Sequence, residues 1–281
     1  MKKLLPSFVV LAVLALFSPN AHAQLSITTT TDAATLAGAI LGGGISLSNL
    51  SYIGGTLASG TYTGGAVMGI PTGIIMTSGN ATLANGGTND SDSSTGSNGT
   101  GTDADLNTLS SPFTTFDKTI LEFDFESTSG DLFFQYVFAS EEYNEYANSS
   151  FNDVFGFFLD GTNIALIPGT STPVSINNIN LVDNPSFFNN NDLQDGGVLP
   201  FEYDGFTDIF TAEALGLTAG THHIKLAIAD AGDSILDSAV FIKGGSFSST
   251  NPGVIPEPTS MLLLGSGLIG SVIARRRKIK I

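Results

Sequence analysis

In the stretch ILEFDFE, Leu121, Phe123 and Phe125 alternate with Glu122, Asp124 and Glu126. That period of two predicts a half-buried antiparallel strand. DLFFQYVFAS, 131–140, is apolar on both faces and reads as a central strand. VFGFFLDG, NIALIPG, HHIKLAIAD and SAVFIKGGSF add further short strands between turn residues. Only TDAATLAGAILGGG carries a helical pattern, with Asp32 as cap, Leu36 and Ile40 on one face, and Gly42 to Gly44 as the stop. These elements predict a mainly all-β fold, an antiparallel β-sandwich or jelly roll with one short N-terminal helix.

The segment 85–112, NGGTNDSDSSTGSNGTGTDADLNTLSSP, has almost no apolar residues and reads as a long, mobile, solvated surface loop. Its acids do not make an EF-hand. Thr95 stands where that loop requires glycine, and Gly101 where it requires the bidentate glutamate.

Both ends carry export patterns. MKKLLPSFVVLAVLALFSPNAHAQ has a positive start, an apolar stretch and the small-x-small site Ala21-His22-Ala23. It reads as a signal peptide, 1–23, cleaved after Ala23. At the other end stand Pro256, Glu257 and Pro258, an uncharged stretch from Thr259 to Ala274, and the basic cluster Arg275, Arg276, Arg277, Lys278 and Lys280. As a helix that stretch would rise about 24 Å, short of the ~30 Å hydrocarbon core. Its basic end should stay cytoplasmic, placing the rest of the chain outside. Residues 251–281 resemble the bacterial PEP-CTERM sorting signal. The resemblance implies a short transmembrane helix that anchors transiently in the inner membrane. It also implies an exosortase that recognises and removes the tail, in bacteria that make exopolysaccharide.

The body between them, 24–250, suits one β-rich domain. It has no cysteine, so neither disulfides nor thiolate metal sites are available. Of the 26 acids all but Glu257 lie in this body, against Lys118, Lys225 and Lys243 as its only bases, a net charge of −22. Such a body does not bind nucleic acid through charge.

Within FASEEYNEYANSSFNDVFGFFLDG, Glu141, Glu142, Glu145 and Asp153 have no Lys or Arg among them. Adjacent strand residues point to opposite faces, so Glu141 and Glu142 do not flank one bond as a glycosidase pair would. The minority reading remains a secreted matrix-polysaccharide hydrolase using Glu141 or Glu142 as acid or base. Asp230, Asp233 and Asp237 form a second acidic cluster in ADAGDSILDSAVF. Calcium takes six to eight oxygens from carboxylates, amides and carbonyls. Glu141, Glu142, Asn152, Asp153, Asp230, Asp233 and Asp237 are therefore the candidate Ca2+ ligands, against the alternative of two separate solvated turns. His222 and His223 read as strand residues, one packed and one outward. Tyr143 and Tyr146 are weighed as sugar-stacking residues against ordinary packing.

YVFASEEYNEY, NDVFGFFLDG, NIALIPGTSTPVSINNIN and HHIKLAIADAGDSILDSAVFIKGGSF resemble the choice-of-anchor L domain family of bacterial surface proteins. The resemblance implies a secreted or surface-displayed β-rich domain and supplies no reaction. The function expected is a non-enzymatic cell-surface or extracellular-matrix protein, associated with biofilm or exopolysaccharide. It is adhesive or structural, stabilised by calcium, with surface glycans as its expected partners.

Overall fold

The structure, a computed structural model, describes residues 24–253. Cleavage after Ala23, the sorting residues Pro256, Glu257, Pro258, Arg275, Arg276 and Arg277, and the C-terminal helix all lie outside the described residues. The strands are β1 (Ser26–Thr29), β2 (Ile45–Ile53), β3 (Ser59–Thr63), β4 (Thr72–Thr77), β5 (Thr115–Ser127), β6 (Leu132–Ser140) and β7 (Val154–Leu159). They continue as β8 (Thr162–Asn163), β9 (Phe188–Asn190), β10 (Gly205–Thr207), β11 (Phe210–Ala214), β12 (His222–Ala231) and β13 (Ser238–Lys243). Two short helices accompany them, α1 (Ala33–Ile40) and α2 (Ala104–Leu109).

Every pair of these strands is antiparallel. One sheet runs β1-β3-β4-β13-β6-β10-β9, with β11 also paired to β6; the other runs β2-β5-β12-β7-β8. The mainly antiparallel β-sandwich expected from the pattern is what forms. As the two-sided apolar run demanded, β6 is central, paired to β13 on one edge and to β10 and β11 along the other.

Alternation sorts side chains into three layers. Between the sheets lie Phe134, Tyr136 and Phe138 of β6, Leu121, Phe123 and Phe125 of β5, Phe155 and Phe157 of β7, Leu226 and Ile228 of β12, and Val240 of β13. Phe247 closes this layer, 5.2 Å from the Phe123 ring and 5.3 Å from that of Phe134. On the outer face of the larger sheet, Val137, Ala139, Ala239 and Phe241 pack under Phe201, Tyr203 and Phe206. On the outer face of the smaller one, Ala227, Ala229 and Phe158 pack under Leu106 of α2.

Helix α1 forms as expected. The Asp32 carboxylate accepts from Thr35 N, and Leu36 and Ile40 are fully buried. Two expectations are corrected. NIALIPG contributes only Asn163 to a strand, where the Asn163 side-chain oxygen accepts from Phe157 N and Ala165 N, and otherwise continues as a turn bridged between Leu166 and Pro173. The segment 85–112 is not a loose solvated loop. Its amides and hydroxyls are tied to strand ends, and it contains α2, capped by Asp103, which accepts from Asp105 N and Leu106 N. A polar segment settles against a surface when that surface offers carboxylates, which composition alone does not reveal.

Candidate functional site

The three layers set the chemistry at one end of the sandwich. Even-numbered residues of β6 face the space between the sheets, and odd-numbered ones face outward. Just past the strand, Glu142 therefore continues the inner stripe and Glu141 the outer one.

Val154 of β7 pairs with Ala229 of β12, both on the outer face of the smaller sheet, so the next residues of each strand face inward. One step further, Asp153 and Asp230 stand opposite one another. Asp153 accepts from Ala231 N at 2.9 Å and from the Ser238 hydroxyl at 2.6 Å. The Ser140 hydroxyl lies 2.8 Å from that of Ser238 and accepts from Glu142 N. Glu142 is 1% exposed, and Asp153 and Asp230 are equally buried. Yet Glu142 Oε2 and both carboxylate oxygens of Asp230 accept no hydrogen bond. Burial, and then the charges of Asp153 and Asp233, push Glu142 up to about 9. Burial pushes Asp153 up to about 7. Burial and the charge of Asp153 drive Asp230 well above the carboxylate range.

On the outer side, Ser140 pairs with Gly205 of β10 and with Ser238 of β13. One step beyond, Glu141 is flanked by Asp204 and Asp237. Asp237 is satisfied, accepting from Gly96 N at 2.8 Å and Asn80 N at 2.9 Å. Glu141 Oε1 and Asp204 Oδ2 are buried and accept nothing. Burial, with the charges of Asp204 and Glu202 behind it, pushes Glu141 up to about 10, and burial pushes Asp204 up to about 8.

No base relieves either group among the described residues. Lys225 is paired with Asp103 and Asp105, Lys118 donates to Thr102 O, and Lys243 donates to Gln135. The histidines sit elsewhere. Packed His222 meets Asp160, and outward His223 meets Asp124.

Residues 24–248 match the family model described as the choice-of-anchor L domain. The chain belongs to the choice-of-anchor L domain family. Residues 254–278 match the PEP-CTERM protein-sorting motif. The two together make it an exosortase-sorted, exported surface protein, and both families are of sorting and surface proteins rather than enzymes. No curated protein and no solved structure matches the chain. Among the described residues no helix is long and apolar enough to cross a membrane.

In this choice-of-anchor L domain the seven candidate ligands fall into unequal groups. Asp153 lies close to both Glu142 and Asp230, and half-buried Asp233 is close enough to raise Glu142 and Asp153. Glu141 points to the other side of the sheet, while the charge of Asp237 bears on both Glu141 and Asp230. The side-chain oxygen of Asn152 is already taken, accepting from Asn177 N at 2.9 Å. Among the described residues no group of three or more acids or histidines is arranged to hold a metal ion. Asp204 and Glu202 escaped the sequence reading because LPFEYDGF shows no acidic run; the register of β10 on β6 alone brings them to Glu141.

Tyr143 is fully buried, its ring 4.6 Å from that of Phe188, so it packs and offers no sugar platform. Tyr146 is 38% exposed and meets Phe151 edge-on. A groove of about 560 Å³ along Leu166, Pro168, Ile209, Phe210 and Glu213 includes none of the candidate ligands.

Proposed function

We propose that the body of this protein is a non-catalytic surface module, adhesive or structural within an exopolysaccharide or biofilm matrix, whose fold calcium completes after export. The observation that carries the calcium reading is Asp230. It is a fully buried carboxylate with neither oxygen accepting a hydrogen bond in good geometry, set opposite Asp153, with every lysine of the described residues engaged elsewhere. Leaving such charges uncompensated costs several kcal/mol, and a divalent oxygen-seeking cation offsets it. Glu142, Asp153 and Asp230 would hold the ion, with Ser140, Ser238 and water completing the shell. The tail hands the chain to an exosortase after transient anchoring in the inner membrane. The matching ligand class is surface glycan, and of Tyr143 and Tyr146 it is exposed Tyr146 that can stack.

The hydrolase reading draws on the raised carboxyls of Glu141 and Glu142, as a general acid requires. Both are 1% exposed, so a polymer has no path to them. The deciding experiment is thermal unfolding of the purified protein in EDTA and across calcium and magnesium titrations. A saturable rise in Tm that magnesium does not reproduce supports the calcium reading. A flat response in well-folded protein ends it, and glycan-binding and hydrolysis assays become the next step.

A further inference from the structure

The outer acidic group is not explained by a calcium ion between the sheets. Two of its oxygens, Glu141 Oε1 and Asp204 Oδ2, are buried without a hydrogen-bond partner, on residues 1% and 0% exposed. They belong to side chains that the β10–β6 register sets next to one another, and the Asp204 charge acts directly on Glu141. Their remaining oxygens are engaged by a single chain segment. Ser94 N donates to Glu141 Oε2 at 3.3 Å, Asn89 Nδ2 donates to Asp204 Oδ1 at 2.6 Å, and the Ser94 hydroxyl donates to Glu202 Oε1 at 2.9 Å. The segment carries its own acid, Asp92, whose charge reaches Asp204.

We propose a second cation site on the outer face of the larger sheet, built from Glu141, Asp204 and Glu202 under residues 89–94, where a calcium-class ion fastens that segment to the ends of β6 and β10. The donors are all hard oxygens, and no sulfur or imidazole is among them, which selects calcium-like over transition-metal ions. Serine, asparagine and aspartate in the covering segment supply the further oxygens that two or three carboxylates lack. Glu141 and Glu142 are adjacent residues whose side chains leave the chain on opposite sides, so this group is distinct from the inner one. The inference shares with the preceding reading only the assignment of calcium to buried carboxylates.

The chain has six tyrosines and no tryptophan, which makes tyrosine-sensitised terbium emission a site-resolved probe. Tyr203 feels the charges of Asp237 and Glu141 on the outer side, and Tyr143 that of Asp153 on the inner side. The experiment titrates the purified protein with terbium, displaces it with calcium, and compares Tyr203→Phe, Tyr143→Phe, Asp204→Asn and Asp230→Asn. Hydrogen exchange of residues 85–99 is followed in parallel. The site predicts that Tyr203→Phe and Asp204→Asn each remove most of one calcium-displaceable component, and that Asp204→Asn abolishes calcium-dependent protection of 85–99. Asp230→Asn should leave that protection intact. A signal lost only in Tyr143→Phe and Asp230→Asn overturns the second site and leaves the inner one standing. No calcium-displaceable signal in any form overturns both. Tyr203→Phe retains the ring, so its result stands even where a carboxylate variant folds poorly.

Discussion

Asp153 and Asp230 face each other one step past the Val154–Ala229 pair; Asp153 accepts two hydrogen bonds, whereas Asp230, with the Ser78 hydroxyl near it, accepts none in good geometry. In the unfolded chain at neutral pH Asp230 is ionised, so folding without a cation must first neutralise it. Each pH unit above the ordinary aspartate value adds about 1.4 kcal/mol to that cost. Asp230→Asn removes it. The variant should melt higher than the parent in EDTA, by several degrees at roughly 2–4 °C per kcal/mol, and should lose the calcium-induced rise. Paired scans with EDTA and calcium check this. A variant that melts lower in EDTA and still responds to calcium would rule out the inner site.

The same groups fix a pH dependence. Glu142 is raised to about 9 and Glu141 to about 10 by burial and neighbouring charge. Between the ordinary glutamate value and these, the folded state holds more protons than the unfolded one. Calcium-free stability therefore falls as pH rises, by about 1.4 kcal/mol per unit for each extra proton. Saturating calcium replaces the protons and flattens the slope, so its effect grows with pH. Tm measured from pH 5 to pH 8 in EDTA and in calcium tests both halves. A calcium-free Tm that climbs over this range would contradict the assignment.

Much of this arrangement was legible in the sequence, for a definite reason. Alternation in ILEFDFE fixed the inward face of β5, and the two-sided run 131–140 fixed β6 as central. The same alternation sends Glu141 and Glu142 to opposite sides. Strand order was not legible, because it depends on which edges pair across the chain. Asp204 and Asp237 reach Glu141 only through the β10–β6 and β13–β6 registers. Helix α2 was missed because a six-residue helix carries too few apolar positions for a period, and its Leu106 is the one residue it buries completely.

Gly79 has a steric role tied to the outer group. A Cβ there would stand 2.1 Å from the Asp237 carboxylate, which Gly96 N and Asn80 N hold in place. Gly79→Ala should displace that carboxylate and destabilise the fold by about 1–3 kcal/mol, in EDTA and in calcium alike. Chemical denaturation measures it. An unchanged midpoint would show that Asp237 can move freely.

Lys225 supplies the contrast that isolates the cation argument. Its ammonium lies 2.7 Å from Asp103 Oδ2 and 2.8 Å from Asp105 Oδ2, beneath α2, and Asp103 also caps that helix. Here the chain compensates a largely buried carboxylate with its own base, whereas at the sandwich end it uses none. Removing the lysine leaves Asp103 uncompensated, and loss of one partner of a buried pair costs about 3–5 kcal/mol. Residual solvent access at both groups places Lys225→Met at or below the lower end of that range. Because this pair is complete without an ion, the loss should be the same in EDTA and in saturating calcium. Denaturation of Lys225→Met under both conditions measures it. A loss that calcium repairs would mean that Asp103 and Asp105 take the cation, and that the acidic ends of β6 and β12 are not where calcium acts.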